Sequence, residues 1–369
     1  MRSLSAISVR LTLMGIFFLA LVLITPVAIG DNISEMPSEV RDLVKQLSST
    51  SAIERGKAAH RLGRMGIKAA PAVPLLVKTL GDSSNLVWQT EWQKKVKRDG
   101  FGQVLGKKTS PGDEAAKALS RIGKPAVKPL IAALKDENPK VRERAVRALG
   151  DIKDNHALQP LVSALSDNTL VVRKAAAVAL GKMRDPRAVQ PLASALKKET
   201  SPHGGYTMAM ALGSLGESSI ETLLRLLREN NPKVRGHAVR GLGKTKNPRI
   251  VDAVITALQD EDAAVRVDAV WALGDIGGSR IVDPLIEALK DESRGVRARA
   301  AEKLGRLKSK QAIMPLIAAL RSETDKWTRD AFRRALQSTT GVEYSQAKSF
   351  SPNDWEHWWQ EHRAEFNPQ

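Results

Sequence analysis

Along most of the chain, apolar residues return at intervals of three and four, and the whole pattern then returns every 31 residues. Val127, Leu130, Ile131 and Leu134 share one face of a helix, and Val141, Ala145, Ala148, Leu149 and Ile152 share a face of a second. Pro129, Pro160, Pro191, Thr222, Ala253, Pro284 and Pro315 follow at that spacing, with a closing leucine at Leu149, Leu180, Leu212, Leu242, Leu273, Leu304 and Leu336. Each unit therefore reads as a helical hairpin. Seven units are regular, and two divergent ones precede them, around Val40 to Gly66 and Pro71 to Gly123. One hairpin cannot bury its own apolar face, so the units must stack. No segment of the body reads as a strand.

Residue types within the unit predict how it is held. Pro129 falls in the first turn of its helix, where its missing N–H is no loss. Leu149-Gly150 and its counterparts predict a left-handed glycine closing the second helix. Alanines such as Ala145 and Ala148 predict close helix approach. Asp136, Asp167, Asp260 and Asp291 at the inter-helix turn predict caps of the second helix, with Arg142, Arg173, Arg235, Arg266 and Arg297 bridging to adjacent turns.

The residues Pro129-Leu130-Ile131, Ala133-Leu134 and Asp136, then Val141-Arg142, Ala145, Ala148-Leu149-Gly150 and Ile152, carry a resemblance. This alternation is similar to HEAT-like repeats of the phycobilisome-lyase type and covers residues 36 to 341. The resemblance implies an all-α, right-handed α-solenoid whose second helices line a concave surface. It leaves function open, because that family includes scaffolds, adaptors, bilin-handling proteins and members without an assigned role.

Four departures from the repeat mark candidate functional segments. Residues 11 to 30 carry no charge and follow Arg2 and Arg10, and Ala28-Ile29-Gly30 precedes Asp31. That is the shape of a signal peptide over residues 1–30, with an uncleaved membrane anchor as the alternative. In the second unit, Pro129 follows Pro74 by 55 residues, which places an insertion at about 84–113. There Trp88 and Trp92 interleave with Lys94, Lys95, Lys97 and Arg98, a pattern that suits either a phosphate, sugar or anionic-membrane surface, or a longer helix packing its two Trp inward. The fifth unit replaces the usual Val-Arg with Pro202-His203-Gly204-Gly205, which is expected to bend the stack, open a pocket or be ordinary drift. After Gly341 the repeat ends, and Trp355, Trp358 and Trp359 share one face of a helix in 342–369, expected as a Trp-rich cap, with a sugar platform as the alternative.

Composition narrows the chemistry. There is no cysteine, so no disulfide, thiolate metal site or thiol nucleophile. No nucleophile elbow, paired-histidine zinc motif, phosphate loop or calcium loop occurs, and the six histidines are scattered. The expectation is no catalytic residue, no metal and no cofactor. The formal charge is +18, and +16 without residues 1–30, which hold two arginines and no acid. Such a field favours acidic partners.

The column two residues before the closing leucine is mixed, and places Met210, Arg240 and Trp271 on successive units, with His237 one turn before Arg240. These are residue types common at binding hot spots. Arg144 and Arg147 are expected to extend that surface. The expected function is a non-catalytic, protein-binding scaffold outside the cytoplasm, periplasmic or extracellular, with an acidic protein partner. The first alternative is a basic binder of polyanions or envelope surfaces (anionic lipid, cell-wall polymer or, less suited to an exported chain, nucleic acid). The second is a bilin-lyase-like or other small-molecule-handling enzyme.

Overall fold

The computed structural model describes residue 33 and residues 35–84, 109–343 and 349–366. The expected signal segment and the insertion side chains Trp88, Trp92, Lys94, Lys95, Lys97 and Arg98 lie outside the described residues.

Among the described residues the architecture is all-α, a solenoid of successive helical hairpins. The chain divides into two compact units, one ending at Ala133 and one beginning at Leu134. The first contains Ser38–Gln46 (α1), Ala52–Met65 (α2), Val73–Thr79 (α3), Pro111–Ile122 (α4) and Val127–Ala133 (α5). Pro111–Ile122 opens on a capping box between Ser110 and Asp113, so the end of the predicted insertion is already the first turn of a repeat helix.

The second unit contains Pro139–Ile152 (α6), Leu158–Ser163 (α7), Leu170–Met183 (α8), Val189–Lys198 (α9), Pro202–Ser214 (α10), Glu217–Leu226 (α11), Pro232–Thr245 (α12), Val251–Thr256 (α13), Ala263–Ile276 (α14), Val282–Glu287 (α15), Arg294–Leu307 (α16), Ile313–Ser322 (α17), Lys326–Thr340 (α18) and Pro352–Phe366 (α19). Helices α6, α8, α10, α12, α14, α16 and α18 are the second helices of repeats three to nine, and each packs on the next. Their closing leucines are fully buried. Each such burial stabilises the unit by about 1.5–3 kcal/mol.

The glycines after those leucines do not cap. Gly150 lies within α6, and the left-handed position is Lys153, three residues on; Arg184, Lys246 and Lys308 repeat this at the ends of α8, α12 and α16. The glycines are instead contact points. A Cβ on Gly150 would fall 2.5 Å from Ala179 Cβ, and Gly181, Gly243 and Gly305 face Ala211, Ala272 and Ala335 in the same way. An interior glycine costs a helix about 1 kcal/mol, here offset by the packing of two backbones.

The aspartates at the inter-helix turns do not cap the second helix either. The cap of α6 is Asn138, of α12 Asn231 and of α14 Asp262. Asp167, Asp260 and Asp291 accept the arginine of the preceding repeat: Arg142, Arg235 and Arg266 each grip one carboxylate with Nε and Nη2 at 2.7–3.1 Å. The remaining Nη1 donates to turn carbonyls of the arginine's own repeat, as from Arg266 to Asp260 O. Arg173 with Glu199 and Arg297 with Glu323 do the same. These arginines are thus spent on stacking. Although burial alone would raise Asp260, the hydrogen bonds and charge of Arg235 hold it below the usual carboxylate range.

At the C-terminal end α19 packs against α17. Trp355 is fully buried there, edge-on to Phe350 at 5.0 Å and Trp358 at 6.1 Å, while Trp358 stacks on His362 at 4.5 Å. With Trp355 enclosed, a flat three-tryptophan sugar platform is not available. Among the described residues no helix is long and apolar enough to cross a membrane.

Candidate binding face on the second helices

The residues with unusual chemistry in the second unit converge on the second helices of repeats five to nine. Tyr206 from α10, Arg240 from α12, Trp271 from α14, Arg299 from α16 and Trp327 from α18 form an alternating ladder of rings and guanidinium groups. Arg240 lies over the Tyr206 ring at 5.5 Å and the Trp271 ring at 5.3 Å. Arg299 lies over Trp271 at 5.1 Å and Trp327 at 5.7 Å. Each contact stabilises by about 0.5–1 kcal/mol at an exposed site and more where water is excluded. One ring or cation per repeat is enough, because stacked hairpins bring the second helices side by side and long side chains bridge the different positions along them.

Lys303 completes the ladder from an unexpected position. It stands where repeats three, four, five, seven and nine carry Ala148, Ala179, Ala211, Ala272 and Ala335 and repeat six carries Gly241, and it faces Gly274, where a Cβ would fall 2.3 Å from its Cδ. Its side chain is buried and sets the Nζ 4.0 Å above the Trp271 ring and 3.7 Å from Asp275. Burial lowers its pKa, against the opposing pull of Asp275.

Arg240 is only partly satisfied. Its nearest carboxylate, Asp268, lies 3.8 Å away, beyond hydrogen-bond reach, and its buried Nη1 has no hydrogen-bond partner among the described residues. Burial pushes Asp268 up to about 6, with Arg240 opposing and Asp262 adding to the shift. A raised carboxylate stabilises the fold most below its unfolded value near 3.8, and that contribution is lost as pH rises through about 6. We therefore expect the chain to gain roughly 1–2 kcal/mol from this group between pH 7 and pH 5, and Asp268→Asn to remove that gain. Urea midpoints of both chains at the two pH values check this; parallel shifts would contradict it.

Two grooves flank the ladder. One, of about 470 Å³, lies between α16 and α18, floored by Ala298, Gly305, Ala331 and Ala335 and edged by Trp327, Arg306 and Arg334. The other, of about 480 Å³, lies between α8 and α10, where Met210 and Tyr206 meet Val178, Lys182 and Arg184.

Of the residues expected to form a binding surface, Arg240 and Trp271 come together and Met210 lines the second groove. His237 does not join them on the open face. It packs into Gly205, where a Cβ would fall 2.4 Å from its ring, and burial lowers its pKa despite its hydrogen bond to the Pro202 carbonyl. The irregular Pro202-His203-Gly204-Gly205 is thus an ordinary helix start, capped by Ser201 and hollowed to receive His237. Arg144 is also a correction: it is buried, at 5% exposure, because its place in α6 turns it inward. Arg147 is exposed but lies on α6, outside the ladder, beside Glu143 at 3.4 Å.

The repeat columns do not single out Tyr206, Arg299, Lys303 or Trp327. Lys303 had a signal, a lysine in an alanine column. Among the described residues no three His, Asp or Glu side chains converge as a metal site.

Comparison with solved structures finds the complex of CpcE and CpcF of phycocyanin lyase from Nostoc sp. PCC7120, 19% identical over 83% of this chain and 98% of that one, with a TM-score of 0.31. The Escherichia coli protein YibA is 22% identical over 70% and 99%, TM-score 0.37. Human deoxyhypusine hydroxylase in complex with glycerol is 20% identical over 76% and 99%, TM-score 0.30. No curated protein matches. Four overlapping segments, 127–203, 166–232, 220–283 and 251–337, match the family described as HEAT repeats. Over more than half of its length this chain is built from those segments, and it belongs to the HEAT-repeat family.

Proposed function

We propose that this HEAT-repeat protein is a non-catalytic scaffold that binds another protein through the second-helix face of repeats five to nine, and that it acts outside the cytoplasm. The observation that carries the binding reading is the ring and guanidinium ladder from Tyr206 to Trp327. Repeats hold together through their glycine–alanine contacts and arginine clamps, neither of which needs an exposed tryptophan. Trp327 is nonetheless 44% exposed beside an open groove. Aromatic and Arg side chains gathered on one face are the composition of interface centres. The extracytoplasmic part of the reading rests on the uncharged run 11–30.

A photo-reactive phenylalanine analogue at position 327 of the full chain tests the face directly. It is expected to crosslink another polypeptide in native cells, while the same analogue at Met314, equally exposed on a first helix, does not. Equal crosslinking from both positions would overturn the reading.

A further inference from the structure

Resting on that reading, the geometry points to an acidic, extended segment of the partner protein as the occupant, with its carboxylates on the guanidinium edges of Arg240 and Arg299 and an apolar side chain in the groove beside Trp327. Three observations carry this.

A guanidinium donates only in its plane. Arg240 lies over one ring in each neighbouring repeat, Tyr206 and Trp271, and Arg299 likewise over Trp271 and Trp327. Rings on either side hold each group in orientation and leave its N–H edge as the part that can meet a ligand. A planar carboxylate matches that edge, with two parallel hydrogen bonds. Arg299 already uses part of that edge within the chain, in a single hydrogen bond from Nη1 to Glu302 at 2.7 Å.

Arg240 is the complementary case. Its buried Nη1 is without an acceptor among the described residues, and Asp268 stays at 3.8 Å. The guanidinium charge is therefore only loosely compensated within the chain, and a carboxylate that approaches the accessible part of the side chain, which is 20% exposed, compensates it. This places the strongest demand for an acid in the middle of the ladder rather than at the rim.

The groove between α16 and α18 has an alanine and glycine floor and a net cationic rim, with Arg299, Arg306 and Arg334 beside Glu302, which accepts from Arg299 and Arg306. Small apolar residues below and cations above suit an apolar side chain flanked by acids. A nucleic acid fits less well. The Trp271 ring already carries Arg240, Arg299 and Lys303, so no base can stack there freely.

The test selects peptides from a random 12-residue display library against the full chain, then measures each against Arg240→Ala, Arg240→Lys and Trp327→Ala, with a thymidine 20-mer as a second probe. Selected peptides are expected to be rich in Asp and Glu with an aliphatic or aromatic residue. Both Arg240 variants should weaken them at least tenfold, the lysine because it keeps charge but loses the planar fork. The thymidine 20-mer should bind more weakly than they do. Peptides lost on Trp327→Ala but without acidic bias, or insensitive to Arg240, would overturn the acidic chemistry and leave the binding face standing. A selection that yields no peptide, or only peptides indifferent to all three changes, would remove both. Tighter binding of the thymidine 20-mer, sensitive to Arg240, would replace the peptide with a polyanion.

Discussion

Gly150→Ala is expected to destabilise the chain, although alanine is the better helix former. In an open helix interior the change gains about 1 kcal/mol. At Gly150 the new methyl would lie 2.5 Å from Ala179 Cβ and 2.7 Å from its Cα. The second of these is backbone, so no side-chain rotation relieves the clash, and α6 must move away from α8. Overpacking of this kind costs about 1–3 kcal/mol before any neighbouring repeat is disturbed. The net loss should therefore be about 1 kcal/mol, and Gly150→Val should exceed it. Gly295 is the control. Its nearest atoms to an added Cβ are at 3.6 Å, so Gly295→Ala should be neutral or stabilising. Denaturant midpoints of the three variants decide the matter. A gain at Gly150 would mean that the repeats are not held at glycine–alanine contact.

Replacing Arg240 and Trp271 together by Ala should lower affinity for the bound protein about 100-fold or more while leaving the chain folded. Each is of a type whose truncation at the centre of an interface costs about 2 kcal/mol or more, and 1.4 kcal/mol is tenfold in affinity. The two side chains touch at 5.3 Å, so the double change should cost less than the sum of the single ones. The double change also removes the contacts of Arg240 with Tyr206 and of Trp271 with Arg299 and Lys303, so the four ring contacts together cost the fold about 2–4 kcal/mol. Arg147→Ala provides the comparison, since Arg147 is exposed on α6 and pairs with Glu143. It should leave binding within twofold. If Arg147 mattered as much as Arg240, general basicity rather than the ladder would govern recognition.

Much of the fold is readable from the chain because one hairpin is written repeatedly. The 31-residue return of proline and leucine fixes helix order, and the buried leucines follow directly. The glycines were harder to place, since a glycine after the closing leucine suits a left-handed cap and a close helix contact equally. Only the positions of the neighbouring helices separate these, with Gly150 against Ala179 and the cap moved to Lys153, a residue type that does not favour left-handed backbone. The inter-helix aspartates posed the same difficulty. Their spacing to the arginines is constant whether the pair closes one repeat or joins two.

The candidate face was half legible. Reading one column across repeats found Arg240 and Trp271, which touch. It passed over Tyr206, Arg299 and Trp327, which stand at other positions of their helices and reach the same line only because side chains lean along the helix. It also placed Arg144 and His237 on the surface, when one turns inward and the other fills the hollow of Gly205.

Oxidative footprinting of the tryptophans, in the full chain alone and in the complex recovered with it from its own cells, tests the binding face most directly. The account predicts that partner binding protects Trp271 and Trp327 and leaves the half-buried Trp358 and Trp359 as reactive as before. Protection confined to Trp358 and Trp359, with Trp327 still oxidised, would contradict it.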